Sequence, residues 1–238
     1  MENAIAELMK FLTPLDLAAL AIFLAAITFY RLISGPVGSR RQSLAQAIQA
    51  QRIKWMLNMP KRENPAFDAI LLGSLSQGNA FFASTTAIAI GGLIALTGSS
   101  DKAQIIVERL PFVAHAHPSL WEMKLMLLMA IFIFAFFKFA WAFRLSHYAL
   151  IMLGATPLYT RDNEEECRMH AERTAFVAGL SADHSNSGLR AFYYAIAALA
   201  WFIHPVAFIA ATLWIMGILI RRDFFSRSRR VIGELADR

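Results

Sequence analysis

The sequence predicts an all-α membrane protein, a four-span transmembrane helical bundle with two cytoplasmic amphipathic helices. Three observations carry that fold class. Hydrophobic residues fill 57% of the 238 positions, and they gather into blocks long enough to cross ~30 Å of hydrocarbon instead of alternating as in a soluble core. The net charge of +6 and the pI of about 9.8 fit Lys/Arg runs flanking spans on the cytoplasmic side better than they fit a nucleic-acid surface. Two polar stretches between the blocks carry apolar residues at near-helical spacing, the pattern of helices that lie in the interface.

The first span covers about 15–33. It opens with "TPLD", where Thr13 can cap, Pro14 suits the first helical position and Asp16 suits the positive end of the helix dipole. With no basic stretch before it and no small-x-small cleavage site after it, the block reads as an uncleaved anchor. A first surface helix follows at about 41–58, with Leu44, Ile48, Trp55 and Met59 set among Arg52, Lys54, Lys61 and Arg62. The second span covers about 67–97. The third covers about 120–143, opened by a capping box of Ser119 and Glu122. A second surface helix is expected at about 163–179, with acids in its first turn and Gly179 at its end. The fourth span covers about 189–220, and the whole of 1–238 forms one polytopic domain. The two halves share a plan without recognisable sequence identity.

Orientation is set by charge. The first inter-span loop holds Arg40, Arg41, Arg52, Lys54, Lys61 and Arg62, whereas the second balances Lys102 and Arg109 with Asp101 and Glu108, so the first faces the cytoplasm. Four spans then leave both termini outside, against the preference of the arginine-rich C-terminal tail. The default reading of the fourth span is one long, tilted, Pro-kinked helix; the alternative is a re-entrant hairpin bent at His204–Pro205 that returns the tail to the cytoplasm.

Three segments carry a resemblance: "RIKWMLNMPKRENPAFDAILLGSLSQGNAFFASTTAIAIGGLIAL", "FKFAWAFRLSHYALIMLGATP" and "GLRAFYYAIAALAWFIHP". Together, from about Tyr30 to Pro205, they resemble the domain of unknown function 599 family of bacterial and plant membrane proteins. The specific combination is Arg52 and Trp55, "ASTT", Arg144, and the Arg190, Tyr194, Trp201, Pro205 pattern. The resemblance implies architecture, a place in the bacterial inner membrane and structural roles for Trp55, Tyr194, Trp201 and Pro205. It supplies no catalytic residues.

The second span raises the functional question. On a helix, Ser74, Gln77, Ser84 and Thr85 share a face with Gly78 and Gly92, and Asn79 with Thr86 share another. Such groups in a membrane turn toward protein or water; they read as helix-packing groups or as a pore lining. Among the cations, Lys138 can snorkel ~9 Å to the surface near Arg144. Arg52, Lys138, Arg144 and Arg190 are candidate contacts for a headgroup or other anion.

Catalytic and metal signals are weak. His115 and His117 have no carboxylate at ligand spacing, and Glu166, Cys167 and His170 share a helical face better explained as solvated. His204 reads as a kink histidine bonded to a backbone carbonyl. No enzymatic activity and no cofactor is expected. The expected function is a non-enzymatic, homo-oligomeric scaffold or an accessory subunit of a larger membrane complex, with lipids and membrane proteins as partners and no nucleic acid. The alternatives are a small oligomeric channel or transporter and, third, a lipid-acting enzyme.

Overall fold

The computed structural model describes residues 11–34, 43–64, 66–109, 113 and 117–236, and every regular element among them is helical. The order is α1 (Pro14–Ser34), α2 (Leu44–Asn58) running into a 3-10 turn (Met59–Lys61), α3 (Ala66–Thr97), α4 (Ser100–Glu108), α5 (Pro118–Gly154), α6 (Glu164–Ala200), α7 (Pro205–Phe225) and α8 (Arg227–Ala236). Four segments are long and apolar enough to cross a membrane: α1, α3, α5 and the stretch Pro205–Glu234.

Those four begin by one device. Each starts at a polar residue followed in the sequence by proline, and the polar side chain accepts a backbone N–H of the first turn. Thr13 Oγ1 accepts from Asp16 at 3.1 Å and Asn64 Oδ1 from Ala66 at 3.0 Å. His117 Nδ1 accepts from Ser119 at 3.3 Å, and His204 Nδ1 from Val206 at 3.1 Å. Proline at the first position sacrifices an N–H that has no partner there anyway, while the preceding side chain satisfies one of the others. Two expectations are corrected by these caps. The third long span opens at Pro118 with His117 as its cap, so Ser119 lies inside the helix. His204 takes a backbone N–H through its ring nitrogen rather than bonding a carbonyl.

The expected fourth span over 189–220 is broken. α6 ends at Ala200, a turn of i→i−3 bonds covers Trp201, Phe202 and Ile203, and α7 starts afresh at Pro205. The physical reason is that the His204–Pro205 pair is a helix start, the same signal as Thr13–Pro14, and not a kink inside a continuing helix. The expected surface helix at 163–179 is the first half of α6, which runs through Gly179 without interruption to Ala200. On the N-terminal side, Ser43 and Gln46 form a reciprocal capping box that starts α2.

The chain divides into two compact units. Unit 1 comprises 1–39, 86–134 and 190–220; unit 2 comprises 40–85, 135–189 and 221–238. The core of unit 1 is aromatic. Phe23 lies 4.9 Å from Phe208, which stacks at 5.1 Å on Trp201, and Phe23 meets Tyr194 edge-on at 6.3 Å. Such pairs contribute about 0.5–1.5 kcal/mol each beyond burial. α5 and α6 run antiparallel here, with Phe132 against Phe192 at 5.7 Å and Lys124 near Trp201.

Unit 2 packs small residues. Met56, Met59 and Leu72 meet Ala149, Ala171, Ala175 and Ala178, and α8 lies against α2. α5 and α6 are again antiparallel, as the pairs Met152 with His170, Ala142 with Ser181 and Phe139 with Gly188 show. Gly188 is required for that approach, because a Cβ there would lie 2.6 Å from the Phe139 ring.

Candidate functional site

α3 divides its polar residues between two faces with different fates. Asn79 and Thr86 point inward and are buried. Asn79 Nδ2 donates to Ser146 Oγ at 3.4 Å, Ser146 Oγ lies 2.7 Å from Ser181 Oγ, and Ser181 Oγ donates to the Ala142 carbonyl at 2.7 Å. Since the Ser181 proton goes to that carbonyl, Ser146 donates to Ser181. The result is a closed chain of hydrogen bonds from α3 through α5 to α6, which places Asn79 in helix packing. Beside it, Ser76 Oγ lies 3.4 Å from His147 Nδ1.

Ser74, Gln77 and Ser84 point the other way. All three are exposed, and among the described residues none of them has a hydrogen-bond partner. Thr85 is half-buried and bonds back to the Phe81 carbonyl at 2.9 Å, the usual way a hydroxyl is satisfied in an apolar helix. Along the same face Gly78, Gly91 and Gly92 have open space where a Cβ would stand. Only 6% of the apolar window of α3 is buried, against 28% for α5, so α3 is the span with most surface left for something else.

The candidate anion contacts are held separately. Arg52 Nη1 donates to Gln49 Oε1, and Gln49 Nε2 donates to the Ala175 carbonyl at 3.1 Å. Burial pushes the Arg52 guanidinium below its ordinary value, and the Asp183 carboxylate pulls it back up. Arg144 is exposed and donates from Nε to Tyr148 Oη at 2.7 Å. Arg190 lies 5.7 Å from the centre of the buried Tyr30 ring, and Lys138 is half-buried on α5.

Two buried carboxylates each take a tryptophan N–H, a pairing that the residue pattern did not single out. Asp16 in the first turn of α1 accepts from Trp201 Nε1 at 2.8 Å; Asp68 in the first turn of α3 accepts from Trp55 Nε1 at 2.6 Å and from Arg62 Nη1. Trp201, Tyr194 and Pro205 are buried, and Trp55 is half-buried. The signal available for both acids was an Asp two or three residues beyond a polar–Pro pair. Lys124, which is 3% exposed, could have been found as the lone cation in the first half of the third apolar block.

The histidines and the cysteine at candidate metal-ligand positions have other partners among the described residues. His170 Nε2 lies 2.6 Å from the Met152 carbonyl, and Cys167 Sγ donates to the Pro157 carbonyl at 3.6 Å and to Asn163 Oδ1 at 3.5 Å. His117 stacks on Phe11 at 4.0 Å; His115 lies outside the described residues. A shallow cleft of about 190 Å³ beside Cys167 is bordered by Lys61, Tyr159, Glu164 and Arg168. Both of its cations are already engaged: Lys61 reaches Glu164 at 3.3 Å and stands 4.9 Å from the Tyr159 ring centre, and Arg168 pairs with Glu165 at 2.6 Å and with Glu172 at 2.5 Å.

Residues 18–228 match the family described as "Protein of unknown function, DUF599". The chain belongs to the DUF599 family. No curated protein and no solved structure matches it. Within this DUF599 chain the matched range takes in both units, both Trp donors, Asp68, Lys124 and the whole outward face of α3; Asp16 falls just before it.

Proposed function

We propose that this protein is a non-enzymatic membrane scaffold or accessory subunit that assembles with further copies of itself through the outward face of α3, in the cytoplasmic membrane of a bacterium. The observation that carries the reading is Gln77. Its amide stands about 16 Å along α3 at ~1.5 Å per residue, exposed and without a partner among the described residues. A polar group facing lipid costs free energy that a neighbouring helix recovers. An amide is both donor and acceptor, so a two-fold copy of the same face satisfies it, and Ser74, Ser84 and the open glycines add hydroxyls and close approach.

Topology belongs to the same proposal. In each unit by itself α6 runs antiparallel to α5, and in this proposal α6 serves as a fifth crossing and α7 returns the chain. Five crossings put the N-terminus outside and the C-terminus inside. Both arginine-rich segments, 40–62 and 221–230, then face the cytoplasm as the charge rule prefers, and the packing of α8 on α2 supports their sharing one side.

The assembly test is the mass of the particle extracted in mild detergent. A dimer or larger ring that Gln77→Leu and Gly91→Leu convert to monomer is expected, and a monomer at every concentration sinks the reading. If Gln77 variants change ion or solute flux in reconstituted vesicles while the oligomer persists, the face lines a pore and the channel reading replaces the scaffold. For topology, in a Cys167→Ser background, an impermeant maleimide should label Ser99→Cys in intact cells and leave Glu63→Cys and Ser228→Cys unlabelled. Labelling of Ser228→Cys returns the count to four.

A further inference from the structure

Unit 1 contains two buried residues, Trp121 and Lys124, whose side-chain donors have no acceptor among the described residues. Lys124 is 3% exposed and Trp121 likewise 3%, and they lie one turn apart on one face of α5. The Trp121 Nε1–H is fully buried with no hydrogen-bond partner. The Lys124 ammonium stands 5.5 Å from the Trp201 ring centre and 6.0 Å from that of Phe202, with no acceptor and no carboxylate at ion-pair distance among the described residues. Both border the same ring, since Trp121 meets Phe202 edge-on at 4.8 Å.

The charges nearby do not fill the gap. Asp16 and Glu108 are the carboxylates whose field reaches Lys124, yet each is otherwise held. Asp16 Oδ1 accepts from Trp201, its Oδ2 accepts from Thr13 Oγ1 at 2.6 Å and from the Thr13 N–H at 3.3 Å, and it sits at the positive end of α1. Glu108 Oε1 takes the Gln104 amide at 2.8 Å. Among the described residues the Trp121 N–H is left buried without an acceptor, and the Lys124 ammonium beside it has only the faces of Trp201 and Phe202, an apolar, aromatic surround where an unmet donor is costly.

We propose that Lys124 and Trp121 form a binding site for an oxyanion, a carboxylate or phosphate group, held between the ammonium and the indole N–H. An ionised oxygen acceptor is the chemistry that satisfies a buried ammonium and a neutral N–H together. Lys124 and Trp121 lie in the first two turns of α5, where the helix N-terminus adds to the attraction for negative charge.

The full-length protein in non-ionic detergent is titrated with four probes: laurate and dodecyl phosphate as amphiphiles, acetate and inorganic phosphate as soluble anions. Binding is read by intrinsic tryptophan fluorescence, which Trp121 and Trp201 report, and by native mass spectrometry. Saturable one-to-one binding is expected. Binding of the amphiphiles alone assigns the site to a lipid or fatty-acid head, and binding of the soluble pair assigns it to a free anion. Lys124→Gln should weaken binding at least about tenfold, since it removes a charge-assisted bond; Lys102→Gln, at an exposed lysine of α4, should not. Trp121→Phe keeps an aromatic ring but removes the N–H together with the pyrrole ring, so it should weaken binding about fivefold by native mass spectrometry, with the packing loss of the buried indole read separately as the thermal stability of the ligand-free variant. No saturable binding by any probe overturns the site, as does unweakened binding by Trp121→Phe or by a folded Lys124→Gln.

Discussion

The two Trp–Asp pairs use the same two side chains at the same kind of place, the first turn of a long apolar helix, and differ in what surrounds the carboxylate. Asp16 in unit 1 has both oxygens filled by neutral donors, from Trp201 on one side and Thr13 on the other. Asp68 in unit 2 takes Trp55 and Arg62 on Oδ1, while its Oδ2 is buried with no partner. The partners also differ in reach: Trp201 is 185 residues from Asp16, Trp55 only 13 from Asp68. The first pair therefore ties the start of α1 to the turn between α6 and α7, and the second only folds the end of α2 onto the start of α3. Local closure tolerates an imperfectly satisfied acid with a cation at hand; long-range closure is fully satisfied.

The largest expected effect follows from removing each acid. Asp16→Ala leaves the Trp201 N–H buried and alone, takes the acceptor from the Thr13 N–H and hydroxyl, and strips Lys124 of the carboxylate field that reaches it most strongly, a loss of about 3 kcal/mol or more. Asp68→Ala frees Arg62, which is already 39% exposed and returns to water, so about 2 kcal/mol is expected. Thermal unfolding in detergent checks the order. An equal or reversed ranking breaks the comparison.

A smaller difference is expected from the indoles. Trp201→Phe removes one bond to an anion whose other oxygen stays bound, while the phenyl ring still stacks on Phe208; about 1.5 kcal/mol is expected. Trp55→Phe leaves Arg62 on the same oxygen, so about 1 kcal/mol suffices. Asp68→Asn sharpens the contrast further. It keeps one carbonyl oxygen for the Trp55 and Arg62 donors and puts the amide NH2 at the orphan position, so it should cost less than Asp16→Asn, whose carboxylate accepts on both oxygens.

Much of the fold was legible because the apolar blocks and charge runs are long signals. All-helical structure, the α2 segment and the family resemblance followed from residues such as Trp55 and Arg144 standing in their places. The break at Trp201–His204 was misjudged for a specific reason: Pro205 lies in an unbroken apolar run, where a proline reads as a kink, and only the His204 ring makes it a start. Comparison with Thr13–Pro14, Asn64–Pro65 and His117–Pro118 would have shown the repeat. The length of α6 was hidden because "SADHSNSG" looks like the end of a surface helix, yet Ser181 and Gly188 are the residues that let α6 lie along α5. The two faces of α3 were legible from spacing. Which face turned inward was not, since Ser146 and Ser181 are distant in the chain.

The smallest expected effect concerns the caps, and it isolates what makes Asp16 different. Thr13 accepts the Asp16 N–H and also donates from Oγ1 to Asp16 Oδ2 at 2.6 Å, so its hydroxyl both caps α1 and braces the buried acid. Asn64 only accepts the Ala66 N–H at 3.0 Å and does not touch Asp68. Thr13→Ala should therefore cost about 1.5 kcal/mol, the upper part of the range for a lost cap plus a bond to an anion, and Asn64→Ala about 0.5–1 kcal/mol. Thr13→Ser keeps the hydroxyl and should recover most of the loss. The Trp201→Phe and Thr13→Ala effects should also be non-additive, because both act on one carboxylate, whereas Trp55→Phe and Asn64→Ala should sum within about 0.5 kcal/mol. Additivity in the first pair would mean that Asp16 is not the shared element, and the contrast between a braced and an unbraced acid would fall.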